Sequence, residues 1–207
     1  MHFALSGIGT DVGKTIVSAV FCKAFGYDYW KPIQSGANSD DDSLTISALT
    51  NDKTLIHPCG LSLSEPLSPH AAANLEGITI DADLIQLPES KNLLIEMAGG
   101  LMVPLNNNGL LFSDLLLNWK VPTVLVSRHY LGSINHTLLS LAVLRNLNIP
   151  LLGIVFVGEE NIDTEKAILE YCDIKIHHRI PIADKMNQHF ITKQAADLNN
   201  SLFSKLF

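Results

Sequence analysis

His2-Phe3-Ala4-Leu5-Ser6, running into Gly7-Ile8-Gly9-Thr10-Asp11-Val12-Gly13-Lys14-Thr15, is the stretch that decides the fold. It reads as a short apolar strand, a glycine-rich loop and the start of a helix near Gly13. Glycines let backbone N–H groups turn inward around an anion, and a helix N-terminus adds partial positive charge. Lys14 can bridge terminal phosphates, and the Thr15 hydroxyl can ligate Mg²⁺. The bland alternative is a glycine turn that merely joins strand to helix. Five residues separate Gly7 from Gly13, one more than the common pattern G-x-x-x-x-G-K-[ST] allows.

Downstream, Val17, Val20, Phe21, Ala24 and Phe25 recur at helical spacing, and Gly26 is placed to end that helix. A second strand is expected from Tyr27 to Pro32. Leu93 to Ile95, Thr123 to Val126 and Leu151 to Val157 are apolar runs without polar alternation, as strands covered on both faces should be. Pro122 and Pro150 precede the last two. Amphipathic helices are expected after Gly132 and from about Asn161 to Tyr171, and a last helix from Phe190 to Phe207. Strand and helix alternate, which predicts an α/β fold: a doubly wound, mostly parallel sheet flanked by helices, with ligands at the carboxyl ends of the strands. Thr54 to Leu87, rich in Pro, Ser and His, reads as irregular loop with one short helix.

At 207 residues, 47% hydrophobic and 17% charged, the chain is long enough to bury a core without disulfides or structural metal. No apolar run approaches the ~20 residues of a membrane span. Met1 to Ser6 has no basic n-region and no small-residue cleavage site, which points to the cytoplasm. A net charge of −7 has the wrong sign for a surface that tracks nucleic acid. Cys22, Cys59 and Cys172 are far apart and read as buried small hydrophobes. The eight histidines, including the adjacent pair His177-His178, lack metal-ligand spacing and read as surface residues.

A metal-bound nucleotide needs carboxylates. Glu96 follows the Leu93 to Ile95 run and precedes Ala98-Gly99-Gly100, an arrangement resembling a Walker B strand end. Asp40-Asp41-Asp42 offers a further carboxylate, and chemistry alone does not choose among the three. Lys31-Pro32-Ile33-Gln34-Ser35-Gly36 brings a second lysine to the same edge of the sheet. In a chain with only 14 lysines and arginines, two lysines at one anion site are informative.

Taken together, these blocks resemble the dethiobiotin synthetases, ATP-dependent cyclo-ligases of the P-loop NTPase superfamily. The resemblance carries the same lengthened loop, the Lys31 to Gly36 block and Asp42-Ser43-Leu44. It continues through Glu65-Pro66-Leu67-Ser68-Pro69-His70, Leu94 to Leu101, Val103-Pro104-Leu105 and Leu131-Gly132-Ser133-Ile134-Asn135-His136. It covers about residues 3 to 183 and implies that residues 1–207 form one P-loop ATP-binding ligase domain.

The implied reaction carboxylates 7,8-diaminopelargonic acid with CO₂ and closes the ureido ring with ATP, through a carbamate and a carbamic–phosphoric anhydride. By the resemblance, Lys31 is the main catalytic cation and Lys14 grips the β- and γ-phosphates. Thr15, Asp42 and Glu96 map onto the magnesium ligands, and Thr10 and Ser35 onto groups that contact the diamine or its carbamate. Asp11, Val12, Gly13, Lys14, Thr15 and Ile16 enclose the phosphates with their amides. The family acts as a homodimer, with the substrate carboxylate received by a helix start of the other subunit, matched here by Gly132, Ser133, Ile134 and Asn135.

Two departures stand out. Met97 follows Glu96 where the family often has glycine, and Val157 aligns with an asparagine that reads adenine. The Ile180-Pro181-Ile182-Ala183 stretch, with Pro181, Ile182 and Ala183 as its nucleotide-contacting residues, resembles the wall around base and ribose. Two other classes share parts of this pattern, a switch or partitioning P-loop ATPase and a non-catalytic nucleotide-binding module. The first uses an early loop lysine that Ser6-Gly7-Ile8-Gly9 lacks. Amidotransferase ligases need an appended glutaminase domain for which the chain is too short.

Overall fold

A computed structural model describes residues 1–37 and 41–207. Six strands form the main sheet: β1 (His2–Gly7), β2 (Asp28–Trp30), β5 (Leu93–Gly100), β6 (Thr123–Arg128), β7 (Leu151–Val157) and β8 (His177–Ile180). Their order is β2-β5-β1-β6-β7-β8, and every pairing is parallel. The doubly wound α/β expectation is met. Alternation along the strands explains the layers, because successive side chains point to opposite faces. Phe3, Leu5, Leu94, Val124, Val126 and Val155 enter one core. Ala4, Leu93, Ile95 and Met97 enter a second, and Leu125, Ile154 and Phe156 a third.

The first core lies under α1 (Lys14–Phe25), α2 (Asp42–Thr50) and α7 (Gln188–Asn199). On the opposite face α3 (Pro69–Leu75), α4 (Phe112–Trp119), α5 (Ser133–Asn146) and α6 (Ile162–Cys172) cover the sheet. As expected, α1 starts at Gly13 and stops at Gly26, whose left-handed φ of 69° caps it.

Several expectations are corrected. The Tyr27–Pro32 strand ends at Trp30, because Pro32 has no N–H to continue a ladder. The chain then enters β3 (Ile33–Ser35), which pairs in parallel with β4 (Leu61–Leu63) in a separate two-stranded sheet. Thr54 to Leu87 therefore holds β4, α3 and a 3-10 turn at Ala82–Leu84 rather than one helix in a loop. Glu96 lies within β5, not after it. The last helix spans Gln188–Asn199, and a separate 3-10 turn, Leu202–Lys205, buries Phe203. Cys22 is buried while Cys59 and Cys172 are half-buried, all free thiols. His2, His57, His70, His129 and His178 are half-buried rather than on the surface. No helix among the described residues is long and apolar enough to cross a membrane.

Candidate active site

The carboxyl ends of β1, β5, β6 and β7 open into a cleft of about 660 Å³, within the range that holds a small-molecule ligand. Its floor is the loop between β1 and α1. Gly13 has φ +92°, a conformation that favours glycine, and a Cβ there would also crowd Val157 Cγ1 at 3.1 Å. A Cβ at Gly7 would meet Val12 Cγ2 at 2.6 Å and the Gly9 carbonyl at 2.8 Å. Helix α1 begins without a side-chain cap or an acidic residue in its first turn. Its leading N–H groups are thus left without a side-chain acceptor, the condition under which a helix start can take an anion.

Lys14 is buried and donates to the Gly9 carbonyl at 3.1 Å. Burial is the largest influence on its ammonium and brings its pKa down to about 8 despite the nearby Glu96 and Asp42. An arriving anion would raise that pKa again.

Opposite the loop, Lys31 lies between two carboxylates, with Nζ 2.5 Å from Asp42 Oδ2 and 3.0 Å from Glu96 Oε1. Lys31 is 3% exposed and Glu96 1%. Burial alone would lower the Lys31 pKa, but the charges of Glu96 and Asp42 and their hydrogen bonds raise it above the usual lysine value. Burial pushes Asp42 up, and Lys31 with the Thr15 hydroxyl more than offsets this, leaving its carboxyl below the usual range. The single Thr15 hydroxyl proton is shared between Asp42 Oδ1 at 2.5 Å and Glu96 Oε1 at 3.2 Å. On its other oxygen, Oε2, Glu96 accepts from Ser18 Oγ at 2.7 Å and Tyr29 OH at 3.1 Å.

The acidic trio divides by geometry. Asp41 caps α2, accepting from the Ser43 and Leu44 amides at 2.8 and 3.4 Å, which turns the next residue, Asp42, into the cleft. Asp40 lies outside the described residues. Thr15, Asp42 and Glu96 offer only hard oxygen donors, a set that fits Mg²⁺, which takes one or two carboxylates and completes its shell from phosphates and water. Among the described residues no group of three or more His, Cys, Asp or Glu side chains could hold a metal. Two carboxylates and a hydroxyl form a different kind of site.

Thr10, Asp11, Ile16, Ser35, Val157, Pro181 and Ile182 line the same cleft. Ser35 Oγ is buried and finds no partner among the described residues. The Val12 side chain is buried in the first core, which leaves only its backbone for the loop, and the half-buried Ala183 is not in the cleft lining. Gly132, Ser133, Ile134 and Asn135 do not line it either. They start α5, where Gly132 has φ 102° and no side-chain cap is made.

Sequence reasoning missed Ser18, Tyr29, Arg128 and Met186, and it gave no site role to the Pro66 to Pro69 rim, known there only as part of the family resemblance. Ser18 was signalled by its place one turn after Thr15, and Tyr29 by alternation with Lys31. Arg128 lines the cleft and donates from Nη1 to the Asp11 carbonyl at 3.0 Å.

Behind this wall a polar cluster joins three elements. Glu165 on α6 accepts from Arg179 Nε at 2.9 Å and Nη2 at 2.7 Å, and lies 2.9 Å from His129 Nε2. Burial raises the Glu165 pKa, but the hydrogen bonds from Arg179 and His129 and the guanidinium charge bring it below the usual carboxylate range. A carboxyl whose pKa is lower folded than unfolded stabilises the fold above its unfolded pKa and ceases to as the pH falls through the folded value. Glu165→Gln is therefore expected to cost about 2 kcal/mol at pH 7, with the deficit shrinking as the solution is acidified through and below the usual glutamate range. Denaturant unfolding of both proteins at pH 7 and pH 4 checks this, and a deficit independent of pH would contradict it.

An AAA domain family model matches residues 2–189. The ATP-dependent dethiobiotin synthetase BioD of Christiangramia forsetii is 45% identical over 189 residues, covering 89% of this chain and 90% of that protein. That of Brucella ovis is 43% identical over 185 residues, covering 88% and 87%. The crystal structure of a ParA family ATPase from Chlorobium tepidum superposes with a TM-score of 0.57 at 13% identity, covering 94% of this chain and 98% of that one, a likeness of fold alone. On the extent and identity of these matches, the chain belongs to the AAA domain family and to the ATP-dependent dethiobiotin synthetases.

Proposed function

We propose that residues 1–207 act as one P-loop ATP-binding ligase domain, a cytoplasmic homodimeric dethiobiotin synthetase acting on 7,8-diaminopelargonic acid. One amine of the diamine adds to CO₂ and loses a proton, giving a carbamate. A carbamate oxygen attacks the γ-phosphorus of ATP, and ADP leaves. The neighbouring amine then attacks the carbonyl carbon of the carbamic–phosphoric anhydride and loses a proton, expelling phosphate and closing the ring.

The observation that carries this reading is the convergence of Lys31, Thr15, Asp42 and Glu96 beside the Lys14 loop. The chemical obstacle is repulsion between a carbamate and a triphosphate at the short separation that in-line transfer needs. Lys14 grips the β- and γ-phosphates together with the loop amides from Asp11 to Ile16. Lys31 holds the carbamate and follows charge onto the transferring phosphoryl group. Thr15, Asp42 and Glu96 hold Mg²⁺, which when bound supplies positive charge to the phosphate oxygens. Thr10 and the unpartnered Ser35 hydroxyl contact the diamine. The substrate carboxylate is received by the Gly132 to Asn135 helix start of the second copy, whose N–H groups suit an anion.

The test is incubation with diaminopelargonic acid, bicarbonate, Mg²⁺ and ATP, with mass detection of the cyclic urea. ATP turnover independent of the diamine would instead favour a switch ATPase. Nucleotide binding without product would favour a non-catalytic module.

Val157, Ile180, Pro181, Ile182 and Met186 make one wall of the cleft apolar. With Val157 in place of an amide, discrimination among bases is weak, and ATP, GTP and CTP are expected to give kcat/KM values within about tenfold of one another. Val157→Asn is expected to raise the preference for ATP about tenfold, the worth of a good amide–base pair. Competition kinetics with the three nucleotides check both numbers, and a native preference for ATP of about 100-fold would contradict the reading.

A further inference from the structure

We infer that Ser18 and Tyr29 are positioning residues of this site: they hold one oxygen of Glu96 so that the other faces Thr15 and Lys31. The inference rests on the reading of Glu96 as a metal ligand. A carboxylate has about four lone-pair sites, and the Glu96 contacts are divided two and two. Oε2 accepts from Ser18 at 2.7 Å and Tyr29 at 3.1 Å, while Oε1 accepts from Lys31 at 3.0 Å and Thr15 at 3.2 Å.

The donors are ordered along the chain in the same way. Thr15 and Ser18 are one turn apart on α1, so one helix face serves both oxygens. Tyr29 on β2 and Lys31 just past its end are two residues apart, and they reach the two oxygens in the same way. Ser18 and Tyr29 are both fully buried, and each sits in an element packed into the first core. Neither has room to follow Glu96 if it turns. Both are neutral, so they fix the carboxylate without offsetting the charge that Oε1 presents to a cation. Groups that orient a ligand in this way typically change metal affinity 10- to 100-fold when removed.

Tyr29→Phe keeps the ring and its packing and removes only the hydroxyl, and Ser18→Ala makes the complementary change. For each variant, Mn²⁺ binding in the presence of the non-hydrolysable analogue AMP-PNP is measured by electron paramagnetic resonance. AMP-PNP binding in EDTA and the thermal midpoint are measured alongside. Each variant is expected to bind Mn²⁺ about tenfold more weakly, with metal-free AMP-PNP binding within about twofold of native.

Native Mn²⁺ affinity in both removal variants would overturn the inference. So would equal weakening with and without metal, which marks a merely structural role. If Ser18→Ala does not fold, Tyr29→Phe decides alone. Because the readout is metal binding, failure of the native protein to make the cyclic urea would sink the proposed reaction and leave this result separate.

Discussion

Lys31→Ala is expected to lower ring formation by at least about 1,000-fold while leaving nucleotide affinity within a few-fold of native. In the proposed reaction the lysine contributes one of the fixed positive charges that let a carbamate approach a triphosphate. Two unit charges 4 Å apart interact by about 4 kcal/mol at the effective dielectric of a partly buried site, close to the expected loss in barrier. On the proposed reading the phosphates are held by Lys14 and the loop amides, so binding should survive.

The same substitution has a second expected consequence. Lys31 is the buried partner of both Asp42 and Glu96, and removing it leaves two carboxylates facing one another. Breaking a buried ion pair from one side typically costs about 3–5 kcal/mol. The variant should therefore unfold at a lower temperature than native and regain much of the difference in saturating Mg²⁺ and ATP, by linkage. Calorimetry and mass detection of product measure both effects. Unaltered turnover would remove Lys31 from the chemistry.

Lys14→Ala is expected to fail differently, weakening ATP binding about 100-fold or more and losing turnover as a result. Its ammonium is buried at the floor of the cleft and donates to the Gly9 carbonyl at 3.1 Å, which leaves donors for an anion. Titration calorimetry with ATP on the two lysine variants separates their roles. Lys31→Ala should bind and not react, and Lys14→Ala should scarcely bind. Similar ATP affinities in the two would show that the division of labour between the lysines is wrong.

The strand, loop and helix from His2 to Phe25 were legible because local signals agree there: an apolar run, glycines where the backbone must turn, and helical spacing between two glycines. β5, β6 and β7 were legible because strands buried on both faces carry unbroken apolar runs. β3 and β4 were not, since each has three residues and exists only by pairing Ile33–Ser35 with Leu61–Leu63 across an intervening helix.

In the site, the two lysines and Glu96 followed from the motifs. The choice of Asp42 needed the family resemblance, and its physical reason is the capping bond of Asp41. Ser18 and Tyr29 carry no motif because their significance depends on a third element, β5, delivering Glu96 between them. Arg128 escaped for a similar reason, since its neighbour Asp11 is 117 positions away.

The most direct test of the account is a crystal structure with diaminopelargonic acid carbamate, AMP-PNP and Mg²⁺ bound. The account predicts Lys31 Nζ within hydrogen-bonding distance of both the carbamate and the γ-phosphate, with Thr15, Asp42 and Glu96 around the metal. A carbamate bound away from Lys31, with that lysine still held by Asp42 and Glu96 alone, would contradict it.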